Sequence, residues 1–204
     1  MRIPDPIKAG AALILSLLAG ALSFSQAVSG QSTCAREVAD IEAYCKKVDR
    51  LIESSHNSGR VFVSTSLDSE PASVGWRESK AVGEDGRNSL NESAFVWSRE
   101  GKILAVKFTF QSESRDRVQF AMYYYRDDGT LAMISARLNL LRGQTMIMRE
   151  QFYDRKSVLI RGSTKSCSLK GGREQKPDKH FIPEPLPVYL TTDRLPFYQA
   201  LAKE

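Results

Sequence analysis

The sequence predicts an α+β domain: an N-terminal helix lying across an antiparallel β-meander of about five to seven strands, closed by a short C-terminal helix. Three observations carry this. Residues 33–54 hold a helical apolar stripe. Residues 94–164 hold six runs of alternating apolar and polar side chains separated by turn chemistry, and these runs repeat with a period of 28 residues.

In the helix, Cys34, Val38, Ile41, Cys45, Val48 and Ile52 recur at steps of four and three, with Tyr44 and Leu51 widening the stripe. Charged residues fill the remaining positions, and Glu42 precedes Lys46 in the favourable i,i+4 sense. Ser32 or Thr33 is suited to cap the start, and residues 54–59 end the helix. Three heptads are short for a coiled coil, so the stripe is expected to pack on the protein's own sheet.

Val61, Phe62 and Val63 predict a short strand, and residues 83–93, with Gly83, Glu84, Asp85 and Gly86, predict a loop. Strand patterns then follow at 94–98, 103–110, 118–124, 132–138, 146–152 and 158–160. Asp128-Gly129 is the strongest hairpin signal in the chain. Gly101, Gly129 and Ser157 are spaced by 28 residues. Each is preceded by an aromatic-ended strand (Val96-Trp97, Tyr124-Tyr125, Phe152-Tyr153) and followed by an aliphatic one. That is a repeated β-hairpin, hence a meander. Residues 170–187, rich in Lys, Gly and Pro, predict an extended path. Pro196 opens a short C-terminal helix with Leu195, Tyr198 and Leu201 as anchors.

The N-terminus carries an export pattern. Arg2 and Lys8 precede an uncharged run from Ala9 to Leu22, and Ser25-Gln26-Ala27 places small residues for cleavage after Ala27. At 1.5 Å per residue the 14-residue run reaches about 21 Å, short of a hydrocarbon core of about 30 Å. Residues 1–27 are therefore read as a signal peptide, with no stable membrane span after its removal. Residues 33–204 are read as one exported domain, in a bacterial periplasm or the extracellular space. Taking 27 from 204 leaves about 177 residues, enough for a single core.

The formal charge of +5 is mildly basic and excludes a dedicated nucleic-acid binder. Residues 149–179 hold nine basic and four acidic side chains, scattered and without an interleaved aromatic platform, as on a solvated face. Export makes an oxidising compartment the expectation, so the three cysteines predict one disulfide. Cys34 and Cys45 lie eleven residues apart on one helix, about 16 Å, too far to pair with each other. Cys167 is the expected partner, with Cys34 favoured because it lies near the helix start and Cys45 the alternative.

Motifs for chemistry are weak. His56 and His180 stand in no ligand-like spacing, no G-x-S-x-G elbow or phosphate loop occurs, and Glu84-Asp85 and Asp127-Asp128 sit in turns, where acids are structural. No cofactor or metal is called for. Glu150 falls between Met148 and Phe152 on an apolar face, where burial would raise its pKa. The second sheet face is the more suggestive surface: Tyr123, Tyr125, Arg137 and Arg149, with Lys107 nearby, have the Tyr and Arg content favoured at interfaces. The expected function is a monomeric, non-enzymatic exported protein that binds a protein or a small apolar ligand through that open face or a helix–sheet cavity. A small extracytoplasmic hydrolase and an envelope-associated structural protein are the alternatives.

Overall fold

A computed structural model describes residues 11–54, 59–64, 75–79, 92–112, 114–175 and 185–201, with side chains from Thr33 onward. His56, His180, Glu84-Asp85 and the 83–91 part of the expected loop lie outside the described residues. The chain divides into two compact units, Met1–Asp40 and Ile41–Glu204.

Helix α1 runs from Ala11 to Ser54. Its end matches the sequence expectation and its start does not, because no helix break occurs at Ser32 or Thr33. Residues 11–22 are rich in Ala and Leu, the best helix formers, and no proline follows Pro6 until Pro71. Among the described residues no helix is long and apolar enough to cross a membrane.

Eight strands form one sheet: β1 (Arg60–Ser64), β2 (Trp76–Ser79), β3 (Glu92–Arg99), β4 (Lys102–Gln111), β5 (Arg117–Tyr125), β6 (Leu131–Leu140), β7 (Thr145–Tyr153) and β8 (Leu159–Ser168). Their order is β2-β1-β3-β4-β5-β6-β7-β8, and every pairing is antiparallel. The mixed α+β class and the meander are as expected, but eight strands replace five to seven. The unexpected strand is β2, Trp76-Arg77-Glu78-Ser79, which has no apolar alternation of its own. Pairing with β1 makes it a strand, and the Arg60 guanidinium donates to both Glu78 carboxylate oxygens at 2.8 and 2.6 Å.

The 28-residue repeat is the hairpins β3–β4, β5–β6 and β7–β8. Gly101, Gly129 and Ser157 all have positive φ, at 74°, 79° and 63°. Just before each turn the register shifts by a bulge at the aromatic pattern: Trp97/Ser98, Tyr124/Tyr125 and Phe152/Tyr153. A bulge adds twist, and three of them at equivalent places bend the sheet in the same sense.

The sheet's two faces are covered differently. On one, Phe62, Val96, Val106, Phe108, Tyr123, Tyr125 and Ile134 form the main core with Leu195 and Phe197 from the C-terminal segment. This segment holds a 3-10 turn (Thr192–Arg194) and a short helix α2 (Tyr198–Leu201). It crosses the sheet as a strap. Tyr123 Oη donates to Pro187 O at 2.6 Å, Tyr125 Oη to Tyr189 O at 3.1 Å, and Leu131 N to Leu190 O at 2.8 Å. The Phe197 ring stacks on Phe62 with centroids 4.6 Å apart and lies 5.4 Å from Trp76.

The other face carries residues 41–54 of α1. Ile41, Cys45 and Val48 are buried. Glu42 pairs with Arg161 on β8, and Tyr124 Oη on β5 donates to Asp49 Oδ1 at 2.8 Å. Ala105, Tyr124, Met133, Phe152 and Arg161 occupy one register row from β4 to β8. The helix therefore lies across the strands along that row, with the Arg161 guanidinium 4.1 Å from the centre of the Phe152 ring.

The expected disulfide is not formed: no bridge links Cys34, Cys45 or Cys167. Cys45 faces the Tyr124 region, on the row that includes Arg161, whereas Cys167 is six residues further along β8. At about 3.3 Å per residue that is about 20 Å, far outside disulfide reach. Cys167 is also buried where residues 173–175 run back beside β8, with Ser168 N donating to Arg173 O and Gln175 N to Ser166 O.

Candidate functional site

The sequence-predicted surface is not one surface. Tyr123 and Tyr125 are fully buried under the strap, and their hydroxyls are used to hold it. Burial, with Tyr189 close by, pushes both phenols well above the usual tyrosine range. Arg137 pairs in register with Phe120 and Met148 on the helix-bearing face, while Arg149 pairs with Ala136 in the row of Phe108 and Ala121, on the strap face. Of the four residues, Arg137 and Arg149 both line the open groove described next, Arg137 exposed on the helix-bearing face and Arg149 partly buried. The assignment inverted at β5, because Val118, Phe120, Met122 and Tyr124 are as apolar as Ala121, Tyr123 and Tyr125. Alternation cannot choose a core face when both faces are apolar.

An open groove of about 460 Å³ lies on the helix-bearing face, over β4 to β7. It starts one register row beyond the row under the helix, with Lys107, Met122, Ser135 and Glu150 in the first row and Phe120, Arg137 and Met148 in the next. Ala121 and Ala136 form the floor between them. The volume falls within the roughly 300–1,000 Å³ of small-molecule sites. Phe120, Met122 and Met148 are half-buried, so apolar surface remains available, and Ser135 supplies one hydroxyl.

Lys107 and Arg137 flank the Phe120 ring, with Lys107 Nζ 5.5 Å and the Arg137 guanidinium carbon 5.7 Å from its centroid. Cations at this distance are held by the ring's quadrupole. Neither has an ion-pair partner among the described residues. Glu150 is exposed on the β7 side, where Ser163 Oγ donates to it at 3.4 Å, so it is not the buried carboxyl the strand pattern allowed.

Two further acids hold turns. Asp128 accepts from Thr130 N at 3.0 Å and Thr130 Oγ1 at 2.6 Å, and these bonds hold its carboxyl below the usual range. Asp116 does the same for its turn through Ser114 and Ser112. Cys45 is buried, and its thiol, with Asp49 also close, is pushed up to about 12, which removes the thiolate that reactivity needs. Among the described residues no group of three or more His, Cys, Asp or Glu side chains is placed to hold a metal.

Lys107 was visible in the sequence as a cation in an apolar strand. The apolar part of the groove was not, since Phe120, Met122 and Met148 look like core residues in the strand pattern, whereas the structure leaves them half-buried. Comparison with protein-family models, with curated proteins and with solved structures found no match.

Proposed function

We propose that this chain is an exported, non-enzymatic binding protein whose ligand occupies the groove over β4–β7. One observation carries the reading: among the described residues, a concave, partly apolar patch of the sheet lies open beside the part of α1 that buries Ile41, Cys45 and Val48. Sheet surface of this kind is normally covered by the chain itself or by a partner. The groove is lined by rigidly paired strand residues, so it is preformed, and a ligand loses little to reorganisation of the site. Export rests on the pattern of residues 1–27.

The test fills the groove. Ser135 sits at its centre, and Ser135→Trp places an indole over its register neighbours, Met122 on β5 and Glu150 on β7. An anilinonaphthalene probe is expected to gain fluorescence on the native protein and to lose that gain in Ser135→Trp at unchanged melting temperature. Equal probe binding by both proteins would place the apolar site elsewhere and refute the reading.

A further inference from the structure

We infer that the groove takes a single-chain anionic amphiphile, a free alkyl carboxylate, with its head group over Phe120 between Lys107 and Arg137. This rests on the groove being the binding site and specifies its ligand class. The charges are asymmetric along the groove. Of the three cations that line the groove, Lys107 and Arg137 lie within 6 Å of the Phe120 centroid, at the β4–β6 side, while Glu150 lies on β7 next to Arg149, whose register with Ala136 puts it in the strap-face row. An anion at Phe120 is within reach of two flexible cationic side chains that have no carboxylate partner among the described residues. Glu150 repels a second anion at the far end, so the site selects a ligand charged at one end only.

The body of the ligand is fixed by what the groove lacks. Ser135 is the one hydroxyl among its lining residues, and Met122 and Met148 flank it on the neighbouring strands. Between the charged ends, a polar body such as a sugar would meet Met122, Met148, Ala121 and Ala136, with Ser135 as its one hydroxyl partner there. Methionine side chains are unbranched and adaptable, and they suit a flexible chain better than a rigid ring system. The open mouth lets the chain end reach solvent, so affinity rises with chain length only until the groove is filled.

The experiment is calorimetric titration of the full chain with octanoate, decanoate and the neutral decanol, each below its aggregation concentration. Decanoate is expected to bind more tightly than octanoate by up to about fourfold per added methylene, the ratio that ~0.8 kcal/mol per buried CH₂ corresponds to. Decanoate should exceed decanol, and Lys107→Gln and Arg137→Gln should each weaken decanoate by roughly three- to tenfold while leaving decanol unchanged. Ser135→Trp should abolish both. Decanol binding as tightly as decanoate, with both blocked by Ser135→Trp, would overturn the anionic assignment and leave the groove site standing. Decanoate binding that survives Ser135→Trp would overturn the groove itself. Absence of alkyl binding, together with cosedimentation on anionic phospholipid vesicles that the two Gln variants abolish, would replace the free amphiphile with a membrane surface and overturn the inference.

Discussion

Replacing Phe197 with alanine tests whether the C-terminal strap is part of the core. Phe197 is about 1% exposed and stacks on Phe62 at 4.6 Å, with Trp76 at 5.4 Å and Phe108 at 5.8 Å. Truncating a buried Phe to Ala costs about 3–5 kcal/mol through lost transfer energy and the residual cavity. Native domains are stable by only about 5–15 kcal/mol, so this is a large fraction of the total. At about 2–4 °C per kcal/mol for a domain of this size, the melting temperature should fall by roughly 6–20 °C. Urea unfolding followed by tryptophan emission is the suitable assay, because the chain's two tryptophans report on opposite faces. Trp76 touches Phe197, and Trp97 lies beside Phe95 on the helix-bearing face. In a Trp97→Phe background the emission comes from Trp76 alone. The expected result is a lower urea midpoint at unchanged slope, with red-shifted native Trp76 emission. A midpoint change worth less than about 1 kcal/mol, with native emission unmoved, would mean the strap is not packed on the sheet.

Three further outcomes follow from the same structure. Gly129→Ala should destabilise by about 1–2 kcal/mol in urea unfolding, because φ is 79° there and a Cβ would come within 3.0 Å of Thr192 Oγ1, whereas Gly143→Ala, at negative φ with Thr145 Oγ1 at 3.6 Å, should cost less. Protein denatured without reductant should titrate three thiols, and reductant should leave the melting temperature unchanged; one thiol would restore the disulfide. Tyr44, Tyr189 and Cys45 are each raised to about 12 by burial, Tyr44 also by Asp127, Tyr189 by Glu92 and Cys45 by Asp49. Their raised folded values favour the native state fully below pH 9–10, and that contribution is lost as pH rises towards 12. Tyrosinate absorbance should therefore develop together with unfolding in this window, and its full appearance near pH 10 in folded protein would contradict the burial.

Much of the meander could be read from local chemistry. The positive φ at Gly101, Gly129 and Ser157 is a property of short turns, and turn residues advertise it within four positions. Strand β2 could not be read, because Trp76-Arg77-Glu78-Ser79 becomes a strand only through β1. The disulfide failed for a related reason. Cysteine count and compartment argue for a bridge, but whether Cys167 meets the helix depends on which row of the sheet the helix crosses, and no pattern within either segment specifies that.

The candidate site divides in the same way. The amino-acid sequence by itself determined the helix stripe at Ile41, Cys45 and Val48, the hairpin repeat, and the presence of Lys107 and Arg137 among apolar strand residues, since each depends on neighbours within a few positions. Only the tertiary structure decided that the strap covers Tyr123 and Tyr125 while Phe120, Met122 and Met148 stay partly open. A strand apolar on both faces carries no signal for which face will be covered, and that choice is made by the helix and the strap, far away in sequence, competing for the two sides of one sheet.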